Sequence, residues 1–562
     1  MERIIKTLWI VIVFFMILTG CNKDNDEIEV KINASKQEYY LEIGEEVIIT
    51  YNVVGQEGAI VNFSSSDETV VTIDEDGKAL GIDEGVVTIT ISLEEDPNIF
   101  CQVEITVEGF PLTMDGPTEV YIGEVITLIA TDRNNSQNEV LWESLNPEIA
   151  MVDRDGNVTG VAAGTTIIKI YSLITADVLE REVNIIIPEA ESVEIEVKSN
   201  QEIVVLSEVK LTYNVIPLGA KQEVTWTSSN EKLAIVDQKG VMFCFGSGSV
   251  DIVARTNNGK EGKITLEITV DPILILRSFN VENPIAQYVT TYGNTEKTEL
   301  VYGSVSRYYP GPLNLKENII KITDKIDGDD NPYVGVIATQ EILNKAELKT
   351  VRSGIIKPSI SSIVYHDTGN NGKGANATSH ANYIVSSDNF NSRARSWHYT
   401  VDDKEVIQHL PDNEVAWQGD TYLAYSTTIG IETCVDEGSN LYTTWHRTAK
   451  LMATLLKKYQ LEITDIKQHY DFSQKECPQT LRRNKLYSNA ISLIEAEYLV
   501  LCELEGYTIT FSSNDLEYVD NYGRIIKLDS APKRISYMVT ITNNQDYNKT
   551  ILFYSTLPAQ FQ

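Results

Sequence analysis

Alternating apolar and polar positions dominate the first half of the chain and predict short β-strands. Runs of Val, Ile and Thr alternate with other residues and are bounded by Asp, Gly and Asn, which is typical of half-buried strands joined by turns. Three such runs begin within two residues of Gly85, Gly164 and Gly248. These glycines recur 79 and then 84 residues apart, and self-similarity at a nearly fixed period indicates an array of similar modules.

Each repeat also carries an aromatic residue at a fixed distance before an Asp-x-x-Gly step. The aromatic and the Asp are eleven residues apart in all three pairs: Phe63 and Asp74, Trp142 and Asp153, and Trp226 and Asp237. We expect the ring to fill the core between two sheets and the glycine to supply the positive φ of a hairpin. The pattern predicts three all-β sandwiches, over residues 29–108, 110–188 and 190–270.

The second repeat resembles a known family of modules. Its stretch Val152-Asp-Arg-Asp-Gly-Asn-Val-Thr-Gly-Val-Ala-Ala-Gly is similar to the hallmark of the bacterial Ig-like group 2 domain. The third repeat departs most, with Phe243-Cys-Phe where Thr159-Gly-Val stands in the second. The resemblance implies Ig-like spacers or adhesive units without catalytic residues. The many acids on their strands are interpreted as solvated faces, although calcium binding by acidic loops is left open.

From residue 353 the pattern changes to strands that alternate with helices. Ser361–His366, Ser396 onward and Thr428–Cys434 are apolar runs of strand length, whereas Tyr442–Tyr459 has apolar residues at helical spacing. A second helix is predicted over Asn376–Ser386. Alternating strands and helices predict an α/β layer domain with a mixed central sheet and flanking helices, over residues 353–500.

Two further regions are less distinctive. Residues 271–352 are rich in Tyr, Asn, Gly and Pro and are interpreted as an extended connector with short strands and a helix at Gln340–Leu348. Residues 501–562 contain alternating runs such as Tyr507-Thr-Ile-Thr-Phe and predict a small C-terminal β unit. The prediction is therefore a multidomain chain: three Ig-like sandwiches, one α/β domain and one small β unit.

The N-terminus is typical of a secretory signal. Arg3 and Lys6 precede the apolar run Leu8–Leu18, which is too short to cross a bilayer and is followed by small residues and Cys21. Leu18-Thr-Gly-Cys resembles the bacterial lipoprotein lipobox, which implies a signal peptide over 1–20 and a lipidated Cys21 that begins a tether over 21–28. The alternative is an ordinary signal peptide with an incidental cysteine. We expect a lipid-anchored protein on the extracytoplasmic face of the cell membrane.

Composition narrows the possible functions. The chain has 562 residues, 46 Lys and Arg against 81 Asp and Glu, and a formal net charge of −35. Nucleic-acid binding depends on Lys and Arg that neutralise phosphates, so the charge argues against a nucleic-acid partner. With only six cysteines and no close-spaced framework, a disulfide scaffold is not expected.

Candidate chemistry lies in the last third, because all six histidines follow residue 365. His366 and His469 each end an apolar strand, and Cys477 follows His469 by eight residues. Imidazole and thiolate are preferred ligands of Zn²⁺, and three protein ligands leave one position open for catalysis. The alternative is that these residues are structural, as isolated His and Cys residues commonly are.

Six ordered motifs favour the metal interpretation. They are Ile363-Val-Tyr-His-Asp-Thr-Gly-Asn, Gly374-Ala-Asn-Ala-Thr-Ser-His-Ala-Asn-Tyr, Ser396-Trp-His-Tyr-Thr-Val-Asp-Asp, Trp417-Gln-Gly-Asp, Ile429-Gly-Ile-Glu-Thr-Cys and Gln468-His-Tyr-Asp-Phe-Ser-Gln-Lys-Glu-Cys-Pro. In this order they resemble the zinc-dependent type 2 N-acetylmuramoyl-L-alanine amidases, over residues 353–500. The resemblance implies one Zn²⁺ held by His366, His469 and Cys477, and peptidoglycan as the substrate.

The resemblance also implies catalytic roles. Glu432 occupies the position of the family's catalytic carboxylate, the alternative being a structural partner of a core Lys or Arg. Lys475 matches a lysine that assists catalysis in several members. His398 matches a histidine of the strand motif and is interpreted either as a proton shuttle or as a core or substrate-contact histidine. Its neighbour is Trp397 where the phage branch commonly has Tyr, so the resemblance does not support a mechanism that uses a phenol. The expected reaction is hydrolysis of the amide between N-acetylmuramic acid and L-alanine.

Two further residues are candidate substrate contacts. Trp417 is predicted to line a glycan groove or to pack in the core, and His380 to contact the groove or to pack within its helix. Two other functions stay open at this point: a non-catalytic peptidoglycan-binding receptor on the same fold, and an adhesin in which the Ig-like array is the functional part.

Overall fold

The computed structural model describes residues 29–109, 111–131, 140–173, 177–198, 200–284, 287–323, 325–326, 328–346, 349–386, 389 and 394–560. The predicted signal peptide, Cys21 and the tether over 21–28 lie outside the described residues. In the described part of the chain, no helix combines the length and apolar character needed to span a bilayer. The chain divides into two compact units, residues up to 192 with 215–222, and 193–214 with 223 onward.

The first unit contains two β-sandwiches with the same strand order. The first sandwich comprises Lys31–Ala34, Glu38–Glu42, Glu46–Ile48, Tyr51–Val54, Val61–Ser65, Val71–Ile73, Lys78–Gly81, Gly85–Leu93 and Phe100–Glu108. The second comprises Thr113–Asp115, Glu119–Tyr121, Val125–Thr127, Ile129–Thr131, Val140–Ser144, Ala150–Val152, Asn157–Gly160, Gly164–Ser172 and Val178–Ile186. In both, the second strand joins the last in parallel to form a four-stranded sheet opposite a three-stranded one.

The repeated aromatic and the repeated glycine are explained by one contact. A Cβ atom at Gly77 would lie 2.7 Å from the Phe63 ring, and one at Gly156 would lie 2.8 Å from the Trp142 ring. Both glycines also have positive φ, 74° and 81°. The hairpin glycine is therefore required twice, once by the turn and once by the ring that packs beneath it.

The second unit begins with the third sandwich. One of its sheets contains Ser192–Val197, Glu208–Ile216, Ala234–Val236 and Val241–Cys244, and the other contains Val224–Ser228, Gly248–Thr256 and Glu261–Ile268. Trp226 is buried, and a Cβ atom at Gly240 would lie 3.3 Å from its ring. The packing of the aromatic on the hairpin glycine thus recurs in the copy that has Phe243-Cys-Phe after its hairpin.

A mixed six-stranded sheet forms the centre of the C-terminal domain, as predicted. Its strands lie in the order Leu315–Glu317, Val406–Gln408, Tyr399–Val401, Thr428–Thr433, Ser362–Asp367 and Ile466–Gln468. All neighbours are parallel except the pair Val406–Gln408 and Tyr399–Val401. The carboxyl ends of four of the parallel strands consequently share one edge of the sheet, which is where open α/β sheets place their sites.

Helices cover this sheet. They are Ala377–Ile384, Tyr422–Thr427, Leu441–Tyr459, His469–Ser473, Gln479–Arg483 and Tyr487–Glu503, with a 3₁₀ turn at Ile463–Asp465. The long helix Leu441–Tyr459 begins after Asn440, whose side chain accepts from the Thr443 N–H, and it ends at Gln460 with φ 55°. Its apolar stripe packs into the sheet core, which confirms the helix predicted over Tyr442–Tyr459.

The segment interpreted as an extended connector is folded onto the domain, so that interpretation is corrected. It contains the helices Pro272–Phe279 and Gln340–Ala346, the hairpin Gln287–Tyr292 and Thr295–Val301, the sheet strand Leu315–Glu317 and the short pair Lys325–Ile326 and Asp329–Asp330. Val289, Tyr292 and Val301 belong to the same buried cluster as the central sheet. A connector would not share a hydrophobic core with the domain that follows it.

The C-terminal residues form the expected small β unit. Tyr507–Ser513, Lys533–Asn543 and Asn548–Leu557 make a three-stranded antiparallel sheet. The unit is joined to the upstream segment, because the Tyr537 hydroxyl donates to the carbonyl of Val305 at 3.0 Å and Val305 N–H donates to Gly523 at 2.8 Å.

Candidate metal centre and active-site cleft

Three potential metal ligands converge at the carboxyl edge of the sheet. His366 lies near the end of strand Ser362–Asp367, and His469 directly follows the neighbouring parallel strand Ile466–Gln468. Cys477 comes from the loop after the short helix His469–Ser473. Their ligand atoms all lie within 4.8 Å of one another, with Cys477 Sγ 3.6 Å from His366 Nδ1, and all three residues are buried.

One turn orients both imidazoles. The Gln418 amide donates to Thr428 Oγ1 at 2.6 Å and to the Ala424 carbonyl at 3.3 Å, so its oxygen faces His366 Nε2 at 2.5 Å. His366 Nε2 therefore carries the proton, and Nδ1, the nitrogen that faces Cys477, keeps its lone pair. Two residues later, Asp420 Oδ2 lies 3.1 Å from His469 Nε2.

The backbone leaves room for this turn. A Cβ atom at Gly430 would lie 2.7 Å from Gln418 Cδ, and one at Gly419, where φ is 83°, would lie 2.4 Å from Ala424 Cβ. Glycine at both positions thus allows the Gln418 amide to reach His366. The sequence motif Trp417-Gln-Gly-Asp contains both residues, Gln418 and Asp420, but sequence reasoning singled out only Trp417. The amide and the carboxylate beside that Trp are the signal that could have identified them.

The third ligand is held by a buried carboxylate. Asp367, which follows His366, accepts from the Thr480 N–H at 2.6 Å, and Thr480 comes three residues after Cys477. Burial raises the pKa of the Cys477 thiol and lowers the pKa of His366 to about 3, so His366 is neutral at physiological pH. Two imidazoles and a thiol with outer hydrogen-bond partners fit a zinc ion, which also deprotonates a coordinating thiol.

A cleft of about 700 Å³ opens above these residues and contains Glu432. Glu432 stands on the strand beside the His366 strand, in register with it. Within the described residues no group hydrogen-bonds Glu432 Oε2. Burial, with a contribution from Asp367, raises the pKa of Glu432 to about 8, while Lys475 and Arg395 act in the opposite direction. A carboxyl group with a raised pKa and an unused oxygen in a cleft is characteristic of acid–base catalysts.

Of the four other predicted site residues, three line the cleft and one does not. Lys475, Trp417 and His380 all line the cleft. Trp417 is also a core residue, because its indole N–H donates to the Thr350 carbonyl at 2.7 Å and its side chain is buried. His380 Nδ1 lies 3.0 Å from the Asn376 carbonyl of its own helix.

The structure does not bring His398 to the cleft, so the catalytic role predicted for it has no geometric support. His398 is fully buried, with Nε2 2.6 Å from Lys357 Nζ and 2.9 Å from the Glu414 carbonyl. Its Nδ1 accepts from the Gly430 N–H at 3.0 Å. Because side chains alternate along an extended segment, Trp397 lines the cleft while His398 points to the opposite side.

Comparison with known families agrees with this geometry. Residues 357–480 match the N-acetylmuramoyl-L-alanine amidase family, and residues 118–183 and 191–266 match the bacterial Ig-like domain (group 2). This chain contains an N-acetylmuramoyl-L-alanine amidase family domain. All three potential ligands, Glu432 and Lys475 lie inside the matched range.

Curated relatives of the amidase domain come from Bacillus subtilis (strain 168). The chain is 36% identical to the N-acetylmuramoyl-L-alanine amidase XlyA over 121 residues, which cover 21% of this chain and 39% of XlyA. It is 32% identical to the amidase CwlH over 122 residues, 21% of this chain and 47% of CwlH. The solved catalytic domain of XlyA is 26% identical, covers 32% of this chain and 99% of that domain, and has a TM-score of 0.25. This chain spans less than half the length of these two curated relatives.

Proposed function

We propose that the chain is a zinc-dependent N-acetylmuramoyl-L-alanine amidase that hydrolyses the amide bond between N-acetylmuramic acid and L-alanine in peptidoglycan. The observation that carries the proposal is the convergence of His366, His469 and Cys477 within 4.8 Å beneath a cleft that also contains Glu432. The named relatives, which are amidases over the matched region, support the same bond.

The roles of the residues follow from their positions. A zinc ion bound by the three ligands would lower the pKa of a water molecule and polarise the substrate carbonyl. The positive charges of Lys475 and of a bound zinc ion would favour the carboxylate form of Glu432. In that form Glu432 accepts the proton of the attacking water and then donates it to the departing amine of L-alanine. Lys475, a cation on the wall of the same cleft, stabilises the negative charge that develops on the carbonyl oxygen. Gln418 and Asp420 hold the two imidazoles in orientation.

The proposal extends to the location of the enzyme. An apolar segment followed by Cys21 supports lipid attachment on the extracytoplasmic face of the membrane, and the Ig-like modules would then set the distance between membrane and substrate. Metabolic labelling with a fatty acid tests this part. Label on the full chain and none on Cys21→Ser supports the anchor, whereas equal labelling of both, or of neither, excludes it.

The activity is tested with purified peptidoglycan and mass spectrometry of the released fragments. Wild-type protein should release stem peptides with a free L-alanine amine, lose this activity with a chelator and regain it with Zn²⁺. Glu432→Gln should lose activity by at least about 100-fold, since a positioned acid–base group contributes about 10²–10⁴-fold. Its zinc content should stay near one per chain, because Glu432 is not among the ligands. Glu495→Gln, an exposed carboxylate on helix Tyr487–Glu503, is the matched control.

The same experiment separates an enzyme from a receptor. A protein that sediments with peptidoglycan and releases no fragment, with or without Zn²⁺, is a binding protein on the amidase fold. Full activity of Glu432→Gln would instead keep the enzyme and remove Glu432 as its acid–base group.

A further inference from the structure

A β-hairpin outside the amidase family match reaches the active-site cleft. The hairpin comprises Gln287–Tyr292 and Thr295–Val301, whereas the family match begins at residue 357. Its turn is Gly293-Asn294, and Asn294 lines the same cleft as Glu432 and the three potential zinc ligands. The cleft is therefore built partly from residues that neither the family match nor the predicted domain boundaries include.

The turn fits closely against the loop that follows His366. At Gly293, where φ is 60°, a Cβ atom would lie 3.0 Å from Asn371 Cβ and 3.1 Å from its backbone nitrogen. At Gly369, where φ is 57°, a Cβ atom would lie 3.0 Å from Asn294 Oδ1. A glycine on each side thus permits the approach, and at both positions the backbone conformation also favours glycine.

Hydrogen bonds tie the hairpin to both ligand-bearing segments. The Gly293 N–H donates to Thr480 Oγ1 at 3.0 Å, and the N–H of the same threonine donates to Asp367, the neighbour of His366. On the other side of the turn, the Tyr292 hydroxyl donates to the Asp436 carbonyl at 2.5 Å. Tyr292 is also only 1% exposed and packs in the hydrophobic core of the central sheet. The turn is therefore fixed by core packing as well as by hydrogen bonds.

The chemistry of Asn294 indicates what it would bind. The end of the Gln479 amide that faces this turn lies 2.6 Å from Asn294 Oδ1 and 2.7 Å from the Gly293 carbonyl, and both of these atoms are acceptors. We therefore assign the amide nitrogen to this end, where it donates to both, and the amide oxygen to the end that accepts from Arg483. Since the oxygen of Asn294 is used, its two amide N–H groups are what it can offer to a ligand. Such a donor binds a carbonyl, carboxylate or hydroxyl oxygen, and the substrate proposed above carries these on its N-acetyl, lactyl and peptide groups.

We propose that Asn294 is a substrate-binding residue of the amidase cleft, which donates a hydrogen bond to an oxygen of the muramyl peptide. The inference rests on the proposed amidase function and adds the hairpin turn to the residues that contact substrate in its cleft. Asn294 is exposed and stands at a turn, so truncating it leaves the buried contacts of Tyr292 and Gly293 in place.

The test is steady-state kinetics of the full chain with soluble substrates. A net hydrogen bond contributes about 0.5–1.5 kcal/mol, so Asn294→Ala should raise KM by about 2- to 12-fold while kcat stays within about twofold. Asn294→Asp should not restore KM, because a carboxylate cannot donate. Thr298→Ala, exposed on the same hairpin and not among the residues that line the cleft, is the matched control. Zinc content and thermal midpoint should match wild type in all three variants.

Two substrates locate the contact. N-acetylmuramoyl-L-alanyl-D-isoglutamine and a muramyl pentapeptide share the sugar and the first residues of the stem. An equal KM increase on both assigns the contact to this shared part, and an increase confined to the pentapeptide assigns it to the distal stem; either result supports the proposal. If wild type is active and Asn294→Ala behaves like Thr298→Ala on both, the inference is wrong although the enzyme stands. If loaded wild type is inactive on both substrates and also on purified peptidoglycan, both proposals fall.

Discussion

The role of Gln418 can be tested by replacing it with leucine, which keeps most of its volume and removes its polar atoms. In wild type the Gln418 oxygen accepts from His366 Nε2 at 2.5 Å, and both side chains are buried, at 6% and 2% exposure. In the variant the imidazole has two states. It can keep its proton on a buried nitrogen without an acceptor, or move the proton to Nδ1, where it occupies the lone pair needed by the metal. Each state makes zinc binding less favourable.

The expected loss of zinc affinity follows from these two states of the His366 imidazole. A buried donor without a partner costs about 1–3 kcal/mol, and loss of an outer-shell partner of a metal ligand lowers metal affinity by about 10- to 100-fold. The two estimates agree, because 1.4 kcal/mol is about tenfold in an equilibrium constant. We therefore expect the dissociation constant for Zn²⁺ to rise by about one to two orders of magnitude.

The assay is competition for Zn²⁺ between the metal-free full chain and a chromophoric chelator of known affinity. Gln418→Glu should bind Zn²⁺ more tightly than Gln418→Leu, because a carboxylate oxygen accepts the same bond from Nε2, although it cannot replace the two bonds that the amide donates to Thr428 and Ala424. Gln545→Leu, a change of the same kind at an exposed turn, controls for the added apolar surface. A folded Gln418→Leu protein that binds Zn²⁺ as tightly as wild type would refute the outer-shell role and the assignment of the proton to His366 Nε2.

Two further predictions concern buried polar groups of the same unit. His398→Leu leaves the buried Gly430 N–H without its acceptor and the Glu414 carbonyl without the imidazole partner, so the free energy of unfolding should fall by about 1–3 kcal/mol. The kcat of zinc-loaded protein should stay within about twofold, and a large loss of kcat at unchanged thermal midpoint would restore a catalytic role. Burial raises the pKa of Glu497 to about 7 from an ordinary 4.5. The folded state therefore binds this proton more tightly than the unfolded state does. The stabilisation that the proton provides is lost as the pH rises from 4.5 to 7. Glu497→Gln should therefore gain stability relative to wild type from pH 4.5 to 7, measured by thermal unfolding, and a constant difference across this range would contradict the reasoning.

Much of the fold could be predicted because its signals are local. The strands of the sandwiches alternate every second residue, and the aromatic that packs on each hairpin glycine lies only fourteen positions before it, as Phe63 does before Gly77. The long helix has its apolar stripe and its Asn440 cap within one segment. Patterns of this kind need no knowledge of distant contacts.

The potential metal ligands could be predicted from the sequence, whereas the residues that surround and orient them could be predicted less well. Residue spacing alone left His366, His469 and Cys477 open to a structural interpretation, and the resemblance of the motifs decided between the two. The motif does not show which side of the extended segment faces the cleft, so it could not predict the orientation of His398. In the structure Trp397 faces the cleft. The outer partners Gln418 and Asp420 could have been suspected from their place beside Trp417 in a short polar turn.

The hairpin at residues 287–301 illustrates what neither local pattern nor family resemblance can provide. Its contacts with the cleft join residues far apart in the chain, such as Gly293 with Thr480 and Asn294 with Gly369. A family match marks the residues that resemble those of relatives, whereas a physical domain ends where the shared core ends. Here Val289, Tyr292 and Val301 share the core of the catalytic sheet although they precede the match by more than fifty residues. The segment least readable from the sequence is therefore also the one through which this chain can differ from its relatives in how it binds substrate.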